Sequence, residues 1–245
     1  MTSIREPSRL GVVFAVAVEA DAFERLATGR VETRATGVVI HEGLVRGTRV
    51  AWCVGGVGAA AAARAAGLLV SGHRPGLLVS AGFAGGLDPA LARGAVVRPA
   101  AVVAEEGGPS LPLEVVGAPA ASSPVTIISV AAIVGTAAAK RDLAARSGAG
   151  LVDMETHAVA TVAAAAGLPC AGVRVISDAA DDDLPREVAA LARPQSPLRR
   201  LGTALGAVGR RPGAARDLWR LYEHAVIDGR TLAAALAETC AAVAR

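Results

Sequence analysis

Short, uninterrupted apolar runs alternate with longer alanine-rich stretches through most of the chain. Leu10–Ala17 (LGVVFAVA), Gly76–Ser80, Ala95–Val103, Val125–Val130 and Cys170–Ser177 (CAGVRVIS) are rich in Val, Ile and Leu and predict buried strands. Gly37–Glu42 and Arg49–Val54 predict a strand pair. Helices are predicted over Glu19–Leu26, Ala59–Val70, Thr136–Arg146 and Glu155–Ala166, the last after a short strand at Leu151–Met154. Two glycine clusters, Gly55–Gly58 and Gly82–Gly86, predict turns that end strands. Strands that are apolar throughout need cover on both faces, so the pattern implies a sheet between two helical layers. Residues 8–183 are expected to form one such domain. Residues 184–245, punctuated by Pro194, Pro197 and Pro212-Gly213, predict a helical C-terminal extension packed on it.

Composition narrows the classes. The 245 residues are 53% hydrophobic and 19% charged with net charge +3, which supplies a large core and excludes a disordered chain. Aromatic residues make up only 2%, so Ala (57 residues), Val and Leu must fill that core. Of 25 basic residues 24 are Arg, a skew that reads as compositional bias, and the single lysine is Lys140. No apolar run of about 20 residues escapes interruption by Gly, Pro or Ser, so no membrane-spanning helix is expected. Residues 1–9 are not followed by a leader-like stretch with a cleavage site, so no secretion signal is expected. Cys53, Cys170 and Cys240 lie far apart in apolar contexts, which suggests neither a disulfide framework nor a zinc site and makes a reducing cytoplasm the default location.

Chemistry in such folds gathers where strands end. Five ends carry a carboxylate or a glycine-exposed backbone: Glu19, the two glycine clusters, Asp153-Met154-Glu155, and Ser177-Asp178. Gly56–Ala61 fits a dinucleotide fingerprint, but no acid stands between Ala59 and Leu87 to hold a ribose, so a tight turn beside a ligand is the better reading. Gly82 to Gly86 could present peptide N–H groups to an anion or a sugar. Asp181–Asp183 reads as a solvated loop and helix cap. His41, His73, His157 and His224 share no ligand spacing and no nucleophile motif is present, so neither a metal nor another cofactor is expected. Val188–Arg216 holds six Arg and no acid, which fits a solvated basic face or attraction to an anionic surface. Aromatics do not interleave with these residues, which argues against nucleic acid.

Three blocks carry a family resemblance. Gly11–Glu19 (GVVFAVAVE), Ser80–Val97 (SAGFAGGLDPALARGAVV), and Val152–Ala160 (VDMETHAVA) with Leu168–Asp178 (LPCAGVRVISD) resemble the nucleoside phosphorylase and nucleosidase superfamily, in particular its methylthioadenosine/S-adenosylhomocysteine nucleosidase branch. The resemblance implies a three-layer α/β/α fold with a central mixed, twisted sheet. It also implies a cytoplasmic homodimeric hydrolase of purine nucleoside metabolism and methionine salvage, cleaving the N-glycosidic bond of a 5′-substituted adenosine. By the same resemblance Asp178 would be the general acid, assisted by Ser177, and Glu19 would activate water. Glu155 would hold the ribose hydroxyls, Met154 would line the sugar, and Gly82, Phe83, Ala84 and Gly85 would complete the substrate site. Phe83 replaces a small polar residue of the family, and Val125–Ile133 offers only aliphatics where an aromatic would stack on the purine. The Arg-rich extension is more similar to that of hopanoid-associated phosphorylases, which act on an adenosyl lipid. This keeps phosphorolysis with phosphate as second substrate, and peripheral membrane contact through that extension, as alternatives. A non-catalytic nucleoside-binding module is a further one.

Overall fold

The structure, a computed structural model, describes residues 10–117, 124–184 and 214–244. Among these, eleven strands form one mixed sheet: β1 (Leu10–Phe14), β2 (Thr28–Ala35), β3 (Val38–Val45), β4 (Thr48–Val54), β5 (Leu77–Gly86), β6 (Val96–Val97), β7 (Ala101–Ala104), β8 (Leu111–Pro112), β9 (Thr126–Ser129), β10 (Leu151–Asp153) and β11 (Cys170–Asp178). Five helices flank it: α1 (Ala17–Glu24), α2 (Ala59–His73), α3 (Ala137–Ser147), α4 (Thr156–Ala165) and α5 (Ala214–Val243). The main path runs β2-β3-β4-β1-β5-β10-β9-β7-β8, and the sheet forks at β5, which also carries β11 and through it β6.

Alternation along the strands sorts side chains between the two faces. In β1, Val13 joins Ala62, Ala65, Ala66 and Leu69 of α2 and Val159, Ala160 and Ala163 of α4. Leu10, Val12 and Phe14 point the other way, to Ala20 and Phe23 of α1 and Leu232, Ala233, Leu236 and Cys240 of α5. Small alanine faces let helices approach closely. At the contact between α1 and α5, a Cβ added at Gly229 would stand 2.6 Å from the Val18 carbonyl oxygen. The few aromatics cluster, Phe23 lying 5.8 Å from both Phe14 and Trp52 between ring centroids.

The three-layer fold with a mixed central sheet and a C-terminal helix is as expected. Several element limits are not. Gly82–Gly86 is no turn: β5 continues through it, because Arg174–Ile176 and Asp178 of β11 pair along one edge and Leu151 and Val152 of β10 along the other. Glycine is needed there for close approach rather than for bending. The run expected over Ala95–Val103 breaks into β6 and β7 around Pro99, which cannot donate to a ladder. Helix α2 runs on through Ser71-Gly72 to His73, where Arg74 caps it in the left-handed region at φ 45°. Strand β2 has no apolar signal, since it is an edge strand exposed along nearly its whole length. The proline-punctuated helices expected within 185–213 lie outside the described residues. No described helix is long and apolar enough to cross a membrane.

Candidate active site

A cavity of about 370 Å³ opens at the ends of β1, β10 and β11. Its wall includes Glu19, Phe83, Ala84, Gly85, Met154, Glu155, Ser177 and Asp178, so residues from four distant stretches of chain meet there. Gly82 is not on the wall. It stands behind Glu19, where an added Cβ would lie 2.5 Å from Glu19 Oε1. Gly82→Ala should therefore displace that carboxylate and lower any turnover that depends on it roughly tenfold or more, with the fold retained by circular dichroism.

Each acid is held by local structure. Glu19 sits in the first turn of α1, where Ala15 and Val16 N–H donate to Oε2 at 2.9 and 3.0 Å and Phe83 N–H donates to Oε1 at 2.9 Å. Only 5% of its surface is exposed. Burial raises its pKa above the ordinary glutamate value, partly offset by the backbone N–H donors and by the Arg174 charge.

Glu155 stands at the junction of β10 and α4. Its Oε1 accepts from Gly58 N–H at 2.6 Å, at the N-terminus of α2. The glycine turn once eligible as a dinucleotide loop is thus spent on a carboxylate of the same chain. Burial, then the neighbouring Asp153 charge, push the Glu155 pKa up to about 7, against the lowering effect of the Gly58 N–H. The folded pKa lies above the unfolded value, so the folded state binds more protons between about 4.5 and 7. Stability from this group is complete at acid pH and is lost as pH rises to about 7. Melting temperature should fall from pH 5 to pH 7.5, and Glu155→Gln should flatten that slope; an unchanged slope would show that another group sets it.

Asp178 is delivered by a bulge. In the β5–β11 ladder Ile176 opposes Ala84, yet Asp178 already opposes Gly85, so Ser177 is the extra residue that re-aims the strand end. Ser177 Oγ donates to Asp178 Oδ1 at 2.6 Å, and Lys140 Nζ lies 2.5 Å from Oδ2.

Beneath these acids lies a network that motif reading left without a role. Arg174, 2% exposed in the middle of β11, donates through Nη2 to Asp153 Oδ2 at 2.7 Å, Thr156 Oγ1 at 2.6 Å and Ser80 Oγ at 2.6 Å. Asp153 also accepts from Ser129 Oγ at 2.6 Å and from Thr156 N–H at 3.0 Å, fixing β9 and the first turn of α4. An arginine inside an otherwise apolar strand was the available signal, since a buried guanidinium needs an acidic partner.

The extension also reaches the site. His224, Ala225 and Asp228 of α5 line the cavity, and Asp228 accepts from Arg93 Nη2 at 2.7 Å while Arg93 Nε donates to the Ser177 carbonyl at 2.9 Å. Nothing in the sequence around His224 pointed there. Val130 and Ala132–Val134 give the wall an aliphatic stretch. Asp182 accepts from Ala179 N–H within its own turn, and Asp183 accepts from Ala137 N–H in the first turn of α3. Among the described residues no group of three or more His, Cys, Asp or Glu could hold a metal.

Known proteins share this fold and parts of this sequence. A 5′-methylthioadenosine/S-adenosylhomocysteine nucleosidase of Haemophilus influenzae (strain PittEE) is 35% identical over 89 residues, 36% of this chain and 39% of that protein. The match thus spans about two fifths of the curated relative's length. Solved structures share the fold at low identity. The S. pneumoniae nucleosidase of the same name, bound to the transition-state inhibitor MT-ImmA, has a TM-score of 0.73 at 16% identity, covering 95% of this chain and 98% of that one. Futalosine hydrolase of Helicobacter pylori strain 26695 has a TM-score of 0.70 at 16% identity, covering 95% and 97%. The phosphorylase superfamily model matches residues 9–124 and 112–197, a span that holds Glu19, Glu155 and Asp178 together. With a family match over most of its length and the matching fold, the chain belongs to the phosphorylase superfamily.

Proposed function

We propose that the protein hydrolyses the N-glycosidic bond of a purine nucleoside, a 5′-substituted adenosine, with Asp178 as general acid and Glu19 activating water. Purine leaves readily only when N7 is protonated, and C1′ then gains cationic character. The carboxyl of Asp178 supplies the proton to N7 as the C1′–N9 electron pair passes to the base. Water adds to C1′ and gives its proton to Glu19, which keeps one acceptor position after its three backbone donors. Glu155 accepts from the ribose hydroxyls, and its negative charge favours the cationic transition state. Met154, Phe83 and the aliphatic wall exclude water from the sugar and base.

The observation that carries this assignment is the meeting of Glu19, Glu155 and Asp178 around one cavity of nucleoside size. The nucleosidase names of the sequence relatives add support. Phosphorolysis is the second reading. Against it, Arg93 is the one arginine on the described cavity wall, and it is already engaged by Asp228 and the Ser177 carbonyl. A phosphate dianion would meet the Glu19 and Glu155 carboxylates instead. The deciding experiment is base release from methylthioadenosine, S-adenosylhomocysteine, adenosine and inosine, each with and without phosphate. Hydrolysis gives a phosphate-independent rate; a rate that vanishes without phosphate establishes the phosphorylase, and no release from any nucleoside removes both.

A further inference from the structure

Lys140 is the only lysine in a chain that otherwise uses arginine for every basic position, and it is completely buried. It lies on α3, and its ammonium is turned toward the loop that follows β11. Nζ donates to the Ala179 carbonyl at 2.6 Å and the Asp182 carbonyl at 3.0 Å, and lies 2.5 Å from Asp178 Oδ2. The opposite carboxylate oxygen is held by Ser177 Oγ. Asp178 therefore faces the cavity as one half of an ion pair, which is a poor starting point for an acid that must give up a proton.

The geometry points to Lys140 as the proton store of Asp178, a positioning residue that acts through that carboxyl and keeps it supplied. The ammonium has three N–H groups, two of them committed to carbonyls and the third available to Oδ2. When it passes that proton to Oδ2, the resulting amine keeps both carbonyl bonds and offers its lone pair to the new carboxyl O–H. Both arrangements leave every polar atom of the pair satisfied, so the buried proton can move without stranding a charge or a donor. As the C1′–N9 bond breaks, the carboxyl proton passes to N7 and the bond's electron pair goes to the base. The base then leaves as a neutral N7–H purine that donates to the new carboxylate, and the positive charge stands on C1′ until water adds. Lys140 regains a proton from water, through Asp178, when the cavity empties. Arginine could supply the charge but not the proton, because a guanidinium does not deprotonate in proteins. This gives a physical reason for one lysine to persist amid 24 arginines.

The inference rests on the hydrolase assignment and is tested with two leaving groups on one sugar. Wild type, Lys140→Met and Lys140→Arg are assayed on a 5-methylthioriboside carrying either adenine, which needs a proton, or 4-nitrophenolate, which leaves as a stable anion. Both variants should release adenine at least tenfold more slowly than wild type and cleave the nitrophenyl riboside within about threefold of it. The nitrophenyl rate is the internal control for folding, and Lys140→Arg carries the test if Lys140→Met does not fold. Equal losses on both substrates, or no loss on adenine, would overturn the proton-store role. A wild-type protein inactive on both would instead tell against the hydrolase assignment itself.

Discussion

Asp178→Asn should slow adenine release by ~10²–10⁴-fold with little change in KM. The carboxamide has nearly the same shape, and its oxygen can still accept from Ser177 Oγ or face Lys140, so the cavity wall survives. What is lost is a transferable proton. Its absence is felt only as the base departs, so kcat and kcat/KM should fall together. The substitution also leaves the fully buried Lys140 ammonium without a counter-charge, so a lower melting temperature should accompany the kinetic loss. Steady-state kinetics on methylthioadenosine with the purified variant decides the matter. A kcat within tenfold of wild type would take Asp178 out of the acid role.

Glu19→Gln should cost ~10²-fold or more in kcat, the scale of a lost general base, and it should do so with a structural signature. Both carboxylate oxygens receive backbone N–H groups, two at Oε2 and one at Oε1. A glutamine must turn its NH₂ toward one of these sets, placing donor against donor and leaving a buried N–H unpaired, which costs about 1–3 kcal/mol. The variant should therefore melt several degrees lower as well as turn over slowly. Glu19→Asp keeps the charge but shortens the reach, and should recover less than a tenth of the lost rate because the attacking water would be misplaced. Full activity in Glu19→Gln would mean that water is activated elsewhere.

The strand ends were legible because chemistry there interrupts an apolar pattern. Acids at 19, 153, 155 and 178 have no packing reason to follow buried strands. Their convergence was legible only through the family resemblance, because it depends on β5 lying between β1, β10 and β11 and on a register slip at Ser177 that no local signal marks. Glycines 82–86 misled in a specific way. Glycine signals a turn when φ must be positive, but here it signals space: Glu19 presses on Gly82, and Val152 and Asp178 on Gly85. Strand β2 was invisible because an edge strand exposed on both faces carries no hydrophobic alternation. The roles of Arg93 and Asp228 required contacts across 135 residues of chain, beyond any motif's reach.

Because the lone lysine of this sequence is sealed inside the fold, amine-directed reagents should leave position 140 untouched in the native state. Acylation at position 140, read by peptide mass, would then record the opening of α3 and the segment after β11 and nothing else. The rate of that one-site tagging, with and without a bound nucleoside analogue, would measure how firmly ligand locks the catalytic corner shut.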